Sequence, residues 1–241
     1  NQPVKAYWLM VVVATMVALL VVAHAQSLEE AQGLYASGKF LEASKMAAAL
    51  GSSPGYVLAA RALDWYASDQ PIAKQEAFYV QCEGYARKAV ELNPRNSDAY
   101  FELGAAIGRL GGLRGAASAF LNGVAGQVKS NFERALELNP RQVLALIGLG
   151  RWHAEIVSRG VAGLFGGDEN QVKTLFERAL TADPPSVAVR LEYARALLIL
   201  DDKANRAAAR KLLEAATDLT PRDVAERRQL VAAERLLAKL P

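Results

Sequence analysis

The sequence predicts an all-α protein, a right-handed array of stacked helix pairs. Three observations carry that expectation. From Leu28 onward apolar residues recur at spacings of three and four, and no stretch alternates apolar and polar residues over the length of a strand. Ala, Leu, Glu, Lys and Arg, all strong helix formers, dominate the same region. Four prolines, Pro94, Pro140, Pro184 and Pro221, each end a segment that repeats one apolar pattern.

Composition sets the outer limits. The 241 residues are 52% hydrophobic and 22% charged, enough apolar material for a sizeable core and an ordinary charge for a folded chain. Lys plus Arg number 28 and Asp plus Glu 25, a balance too even for a dedicated nucleic-acid binder. A single cysteine excludes an intramolecular disulfide framework and a thiolate zinc site, and two histidines leave little for a histidine-built metal centre. The reading therefore carries no metal, no cofactor and no nucleic-acid partner.

The N-terminal segment comes first. Residues 6–23 form an uncharged run preceded by Lys5 and followed by Ala23-His24-Ala25, the basic, apolar and small-x-small order of a secretory signal cut after Ala25. A single membrane-anchoring helix is the competing reading, because 18 residues reach the lower limit for spanning. Residues 1–25 are thus expected to be a signal peptide or an anchor, and 26–241 the helical domain. Export follows from either: a periplasmic protein, or one anchored to the outer face of the inner membrane, touching the membrane only through this segment. Cys82 would then face an oxidising compartment with no partner in its own chain. Its apolar neighbours at helical spacing point to a buried, inert thiol.

The repeat is read backward from each proline. Five residues before it stand Ala89, Ala135, Ala179 and Ala216; eight before, Ala86, Phe132, Phe176 and Leu213; twelve before, Cys82, Val128, Val172 and Ala209. A helix that packs closely on two neighbours needs a small residue at the contact and larger apolar ones a turn or two away. The proline then stops the helix and turns the chain. Counting forward, Tyr100, Leu103, Gly104 and Ile107 follow Pro94; Leu146, Leu149, Gly150 and His153 follow Pro140; Arg190, Tyr193, Ala194 and Leu197 follow Pro184. A degenerate copy lies earlier, at Gly33-Leu34-Tyr35-Ala36 and Gly38-Lys39-Phe40-Leu41-Glu42-Ala43. These segments resemble the tetratricopeptide (TPR) repeat, a helix–turn–helix of about 34 residues with a small residue at the close contact and a proline at the end. The resemblance covers roughly 28–225 and implies about four helix pairs. A capping helix follows around Asp223 to Leu240, with Val224, Leu230, Leu236, Leu237 and Leu240 on its apolar stripe. Ala89, Ala135, Ala179, Ala216, Gly104 and Gly150 are the expected repeat contacts.

The prolines are 46, 44 and 37 residues apart rather than about 34. The surplus falls between the helices of each pair, in Gly111 to Gly126 and in Gly160 to Gly167, both rich in glycine and apolar residues. Two such inserts on one edge of an array either fold back as a cap or line a pocket. The run Gly150-Arg151-Trp152-His153-Ala154-Glu155 with Phe165-Gly166-Gly167 resembles the T component of tripartite periplasmic transporters, an exported helical protein with a hydrophobic cavity. Leu149-Gly150-Arg151-Trp152 and Gly163-Leu164-Phe165-Gly166 are similar to the regulator of microtubule dynamics family, which pairs an N-terminal membrane segment with a TPR-like, lipid-contacting domain. Both resemblances imply a non-enzymatic protein with a hydrophobic ligand or a membrane neighbour.

Catalytic sets are missing. A Ser/His/Asp arrangement would need His153, which occupies a helix-packing position; there is no Gly-x-Ser-x-Gly, no P-loop and no dinucleotide fingerprint. Arginine clusters interleave with glutamates as solvated, ion-paired faces do. Arg109, Arg114 and Arg151 border the inserts, where a guanidinium beside apolar surface suits an acidic amphiphile. Two functions follow. One is an envelope protein that docks a protein partner, such as a transport component. The other is a carrier or sensor of a lipid, fatty acid or sterol held under the inserts. The expected site comprises Tyr100, Arg109, Leu113, Arg114, Phe120, Arg151, Trp152, His153, Leu164 and Phe165. An open charged groove would favour docking, a closed apolar cavity beneath the inserts the carrier.

Overall fold

The computed structural model describes residues 27–115 and 123–240, together with Val13. The apolar run over 6–23, apart from Val13, lies outside the described residues, as do Phe120 and the middle of the first insert. Every regular element among the described residues is helical. In chain order these are 27–36 (α1), Phe40–Ala49 (α2), Ser53–Ser68 (α3), Ile72–Leu92 (α4), Ser97–Arg114 (α5) and Val124–Leu138 (α6). Then follow Val143–Ser158 (α7), Ala162–Phe165 (α8), Glu169–Ala182 (α9), Val187–Leu200 (α10), Lys203–Thr217 (α11) and Val224–Leu237 (α12).

Each second helix packs on its own first helix and on the first helix of the next pair, while α3, α5, α7, α10 and α12 also meet one another in succession. This is the TPR-like repeat array. The twelve positions read backward from the prolines are all buried, and Ala89, Ala135, Ala179 and Ala216 are 0% exposed. Small residues there let neighbouring backbones approach, and the larger ones eight residues before each proline fill the layer beside them.

Among the described residues there are five pairs, α1–α2, α3–α4, α5–α6, α7–α9 and α10–α11, with α12 as the cap. The sequence marks about four, because no repeat proline precedes α3 and counting from prolines does not reach it. That helix instead starts with the Ser52 side chain accepting from the Gly55 N–H and with Pro54 in its first turn.

Turns between pairs are built alike. Asn93 Oδ1 accepts from the Arg95 N–H at 3.0 Å, and Asn139 Oδ1 from the Arg141 N–H at 3.1 Å. At the third turn Pro185 has no N–H to give, so only the backbone bond from Ser186 N–H to Asp183 O remains. The next helix is then capped by the side chain of Asn96, Gln142 or Ser186. The Ser53 and Ser97 hydroxyls donate to the carbonyls of the buried alanines Ala89 and Ala135, at 2.8 and 2.9 Å, tying each first helix to the end of its partner.

The inserts are partly absorbed into helices. Gly111 to Arg114 extend α5, and Val124 to Gly126 open α6. The second insert contains α8, whose Phe165 packs, with Val161, against the main core.

Candidate functional site

Trp152, His153 and Phe165, expected to contact a ligand, are brought together at the second insert. The Trp152 indole N–H donates to the Ala125 carbonyl at 2.9 Å, and Lys129 Nζ lies 5.2 Å from the indole centroid. His153 Nδ1 accepts from the Asp168 N–H at 3.1 Å, fixing the turn into α9. Burial, and after it the nearby Lys129 ammonium, hold the imidazole below its ordinary pKa, against the pull of Asp168. The neutral ring is the form with a lone pair for that N–H. Gly167 could carry no side chain here, since a Cβ would lie 2.7 Å from Ile156 Cγ2. The insert therefore folds back onto the core, with Leu164 left outward at 67% exposure and open space around Gly163.

The expected arginines are spread over three helix junctions. Arg109 Nε meets Asp64 Oδ1 at 3.0 Å, joining α5 to α3. Arg114 Nε meets Glu76 Oε1 at 2.8 Å, joining α5 to α4. Arg151 Nη1 lies 2.9 Å from Glu192 Oε2, joining α7 to α10. Tyr100 lies on α5 under the Arg134 guanidinium, 5.9 Å from its ring centroid, and Leu113 packs with Leu63 and Leu110. Phe120 is outside the described residues.

The first helices share a polar seam. Arg61 Nε donates to Glu102 Oε1 at 2.7 Å, Arg61 Nη2 lies 3.6 Å from Asp98, and Gln142 donates to the same Asp98 oxygen at 2.8 Å. Glu102 is 5% exposed, and burial pushes its carboxyl up to about 7 while Arg61 pulls the other way. Burial also raises the Cys82 thiol, leaving it protonated and unreactive. Among the described residues no three His, Cys, Asp or Glu side chains gather as a metal site, and no helix is long and apolar enough to cross a membrane.

The seam opens at its C-terminal end into a groove of about 540 Å³ between α7, α10 and α12. Leu198, Ile199, Val231, Ala232 and Leu236 form its apolar floor, and Arg151, Arg195, Arg228, Arg235 and Lys239 its rim. No carboxylate among the described residues lines it. Arg151 and Arg195 share a single acid, Glu192, and Arg151 Nε is buried without a hydrogen-bond partner among the described residues. Of the described residues expected from the sequence to form the site, only Arg151 reaches this groove. The remaining signal was present on α12 and the turn after it: residues 228, 231, 232, 235, 236 and 239 follow one another at helical spacing, with cations interrupting the apolar stripe.

Comparisons with known proteins agree with this architecture. Residues 34–164 match the family described as regulator of microtubule dynamics protein 1-3. The thermophilic TPR protein TTC0263 of Thermus thermophilus is 17% identical, with 88% of this chain and 99% of that chain covered and a TM-score of 0.63, a likeness of fold. YrrB, a TPR protein with an unusual peptide-binding site, is 16% identical over 87% of this chain and 90% of its own, with a TM-score of 0.42. No curated protein matches the sequence.

Proposed function

We propose, from the premise that this chain belongs to the regulator of microtubule dynamics protein 1-3 family, that it is a non-enzymatic docking protein of the cell envelope. Its partner is a protein held on the face formed by the first helices. The observation that carries this reading is the groove between α7, α10 and α12, which is open and lined by charged side chains. A catalytic centre needs a desolvated acid–base or nucleophile set, whereas the buried titratable groups here are spent on packing: His153 on the Asp168 N–H, Glu102 on Arg61. A lipid carrier needs an enclosed apolar chamber, and the second insert instead lays Phe165 and Val161 onto the core. The uncharged run over 6–23 supports placement at the envelope, as a periplasmic or inner-membrane-anchored protein, with transport components among its candidate partners.

The test is a photo-crosslinking amino acid placed at position 231 of the full chain in its native host, paired with solvent extraction of the purified protein. A crosslink to one identified protein, lost when the probe is moved to the outer face of α4, is the expected result. Stoichiometric lipid in the extract and no protein crosslink would replace docking with the carrier reading.

A further inference from the structure

We infer that the groove between α7, α10 and α12 takes an acidic peptide segment with interleaved aliphatic side chains; this rests on the docking reading and names the partner's chemistry. Charge complementarity carries the argument. Five cations rim the groove, and no carboxylate among the described residues lines it. Two of those cations, Arg151 and Arg195, divide the one Glu192 carboxylate between them. Arg228 is held from the opposite side by Asp69 at the end of α3. Arg235 and Lys239 have no acidic partner among the described residues.

The floor selects against the bulkier anions. Leu198, Ile199, Val231, Ala232 and Leu236 make a short apolar strip open to solvent, with Val231 38% exposed. Short aliphatic side chains cover such a strip, whereas an acyl chain laid there would stay half wet. A nucleic acid would leave the aliphatic floor unused and would call for a wider basic surface. Spacing along α12 fixes the register. Positions 228 and 235 lie about 10 Å apart at ~1.5 Å per residue, and Lys239, in the turn just past the end of α12, lies about 6 Å further on. In an extended peptide, rising ~3.3 Å per residue, those gaps match acids about three and about two residues apart. The aliphatic residues then fall between the acids, over Val231 and Leu236.

The probe is a fluorescein-labelled peptide of repeated Glu-Leu-Leu-Glu-Leu units, titrated by anisotropy against the full chain. A length-matched Lys and Leu peptide and phosphatidylglycerol vesicles are run beside it. The variants are Arg235→Glu with Lys239→Glu, Val231→Asp, and Lys173→Glu on the outer face of α9 as control. The acidic peptide is expected to bind, to weaken with added salt, and to lose at least about tenfold in affinity in the double variant and in Val231→Asp but not in the control. Circular dichroism confirms that each variant is folded. Equal binding of the Lys and Leu peptide, lost in Val231→Asp, would overturn the acidic partner and leave the docking reading standing. Vesicle binding that depends on Arg235 and Lys239, with no peptide binding, would overturn both. Absence of binding to every probe by a folded chain would overturn the inference, and the crosslink at position 231 would decide the docking reading separately.

Discussion

Asp69 and Arg228, 159 positions apart in sequence, meet at 2.7 Å. The same guanidinium lies 4.9 Å from the centroid of the Phe40 ring, and Val224 presses on Gly38 in the turn between α1 and α2. The last helix thus reaches across the first-helix face and touches the first and second pairs. Repeat arrays normally contact only their sequence neighbours. Here the two ends restrain each other, and α12, one wall of the basic groove, packs on α10 and α11 and is also met by Phe40 and Asp69.

This closure predicts a specific cost at Gly38. Its φ is +80°, and a Cβ would stand 2.8 Å from Val224 Cγ1. Gly38→Ala is therefore strained in backbone and in packing, and it should lower stability by about 1–3 kcal/mol. Arg228→Ala removes an exposed ion pair and a cation–π contact and should cost only about 1 kcal/mol. Urea midpoints check both magnitudes. Hydrogen exchange should localise both effects to α1, α2 and α12, and loss of protection spread evenly over the array would contradict an end-to-end restraint.

The next prediction concerns how each pair accommodates its aromatic. A Cβ on Gly104 would stand 2.8 Å from Phe132, and one on Gly150 2.8 Å from Phe176. In the last pair the equivalent residues are Ala194 and Leu213, buried in one cluster: the larger first-helix residue goes with the smaller partner. Gly150→Ala should destabilise by about 1–3 kcal/mol through overpacking. Combining it with Phe176→Leu should cost clearly less than the two single changes added together. Strict additivity in a double-mutant cycle would show that the ring does not set the glycine.

The second helices were legible because burial alone determines their pattern. A residue such as Ala135 touches neighbours on both sides, so its size is fixed and its distance from Pro140 repeats. Helix α3 was not, since Pro54 starts it and no proline precedes it at the repeat distance. The arginines were visible, but their partners were not. Arg109 finds Asp64 and Arg151 finds Glu192 across helix junctions, contacts set by tertiary packing between residues far apart in sequence. The groove depends on the same packing, drawing residues from 151 to 239. Arg235 reads locally as an ordinary cation in the last turn of a helix, where it also complements the dipole, and Lys239 as one just past its end.

His153 predicts an acid-sensitive insert. Its pKa in the folded protein is depressed below the ordinary 6.5, so the unfolded chain binds the proton more readily. The stability it contributes is complete above about pH 6.5 and is lost as pH falls through the depressed value. Protonation takes away the lone pair that accepts from the Asp168 N–H, and it places a second cation near Lys129. Lowering the pH from 7.5 to 5 should raise hydrogen exchange at Asp168 and through α8. In His153→Gln that acid-induced rise should disappear. A rise of equal size in the variant would move the origin elsewhere.

Glu102 predicts a slope of opposite sign. Burial raises its pKa from 4.5 to about 7, so the folded state holds the proton more tightly than the unfolded one. Between those values stability falls as pH rises. Arg61 at 2.7 Å limits the loss by partnering the charged form. Arg61→Leu removes that partner and leaves a carboxylate buried alone, a change worth about 3–5 kcal/mol where the group is ionised. The variant should therefore be far less stable than the parent at pH 8 and close to it at pH 5, where Glu102 is neutral. Adding Glu102→Gln to Arg61→Leu should recover most of the loss at pH 8. Urea titrations of the three proteins at both values check this. A deficit in Arg61→Leu that is the same at pH 5 and pH 8 would mean that lost packing by the arginine stem, and not the uncompensated charge, sets the cost.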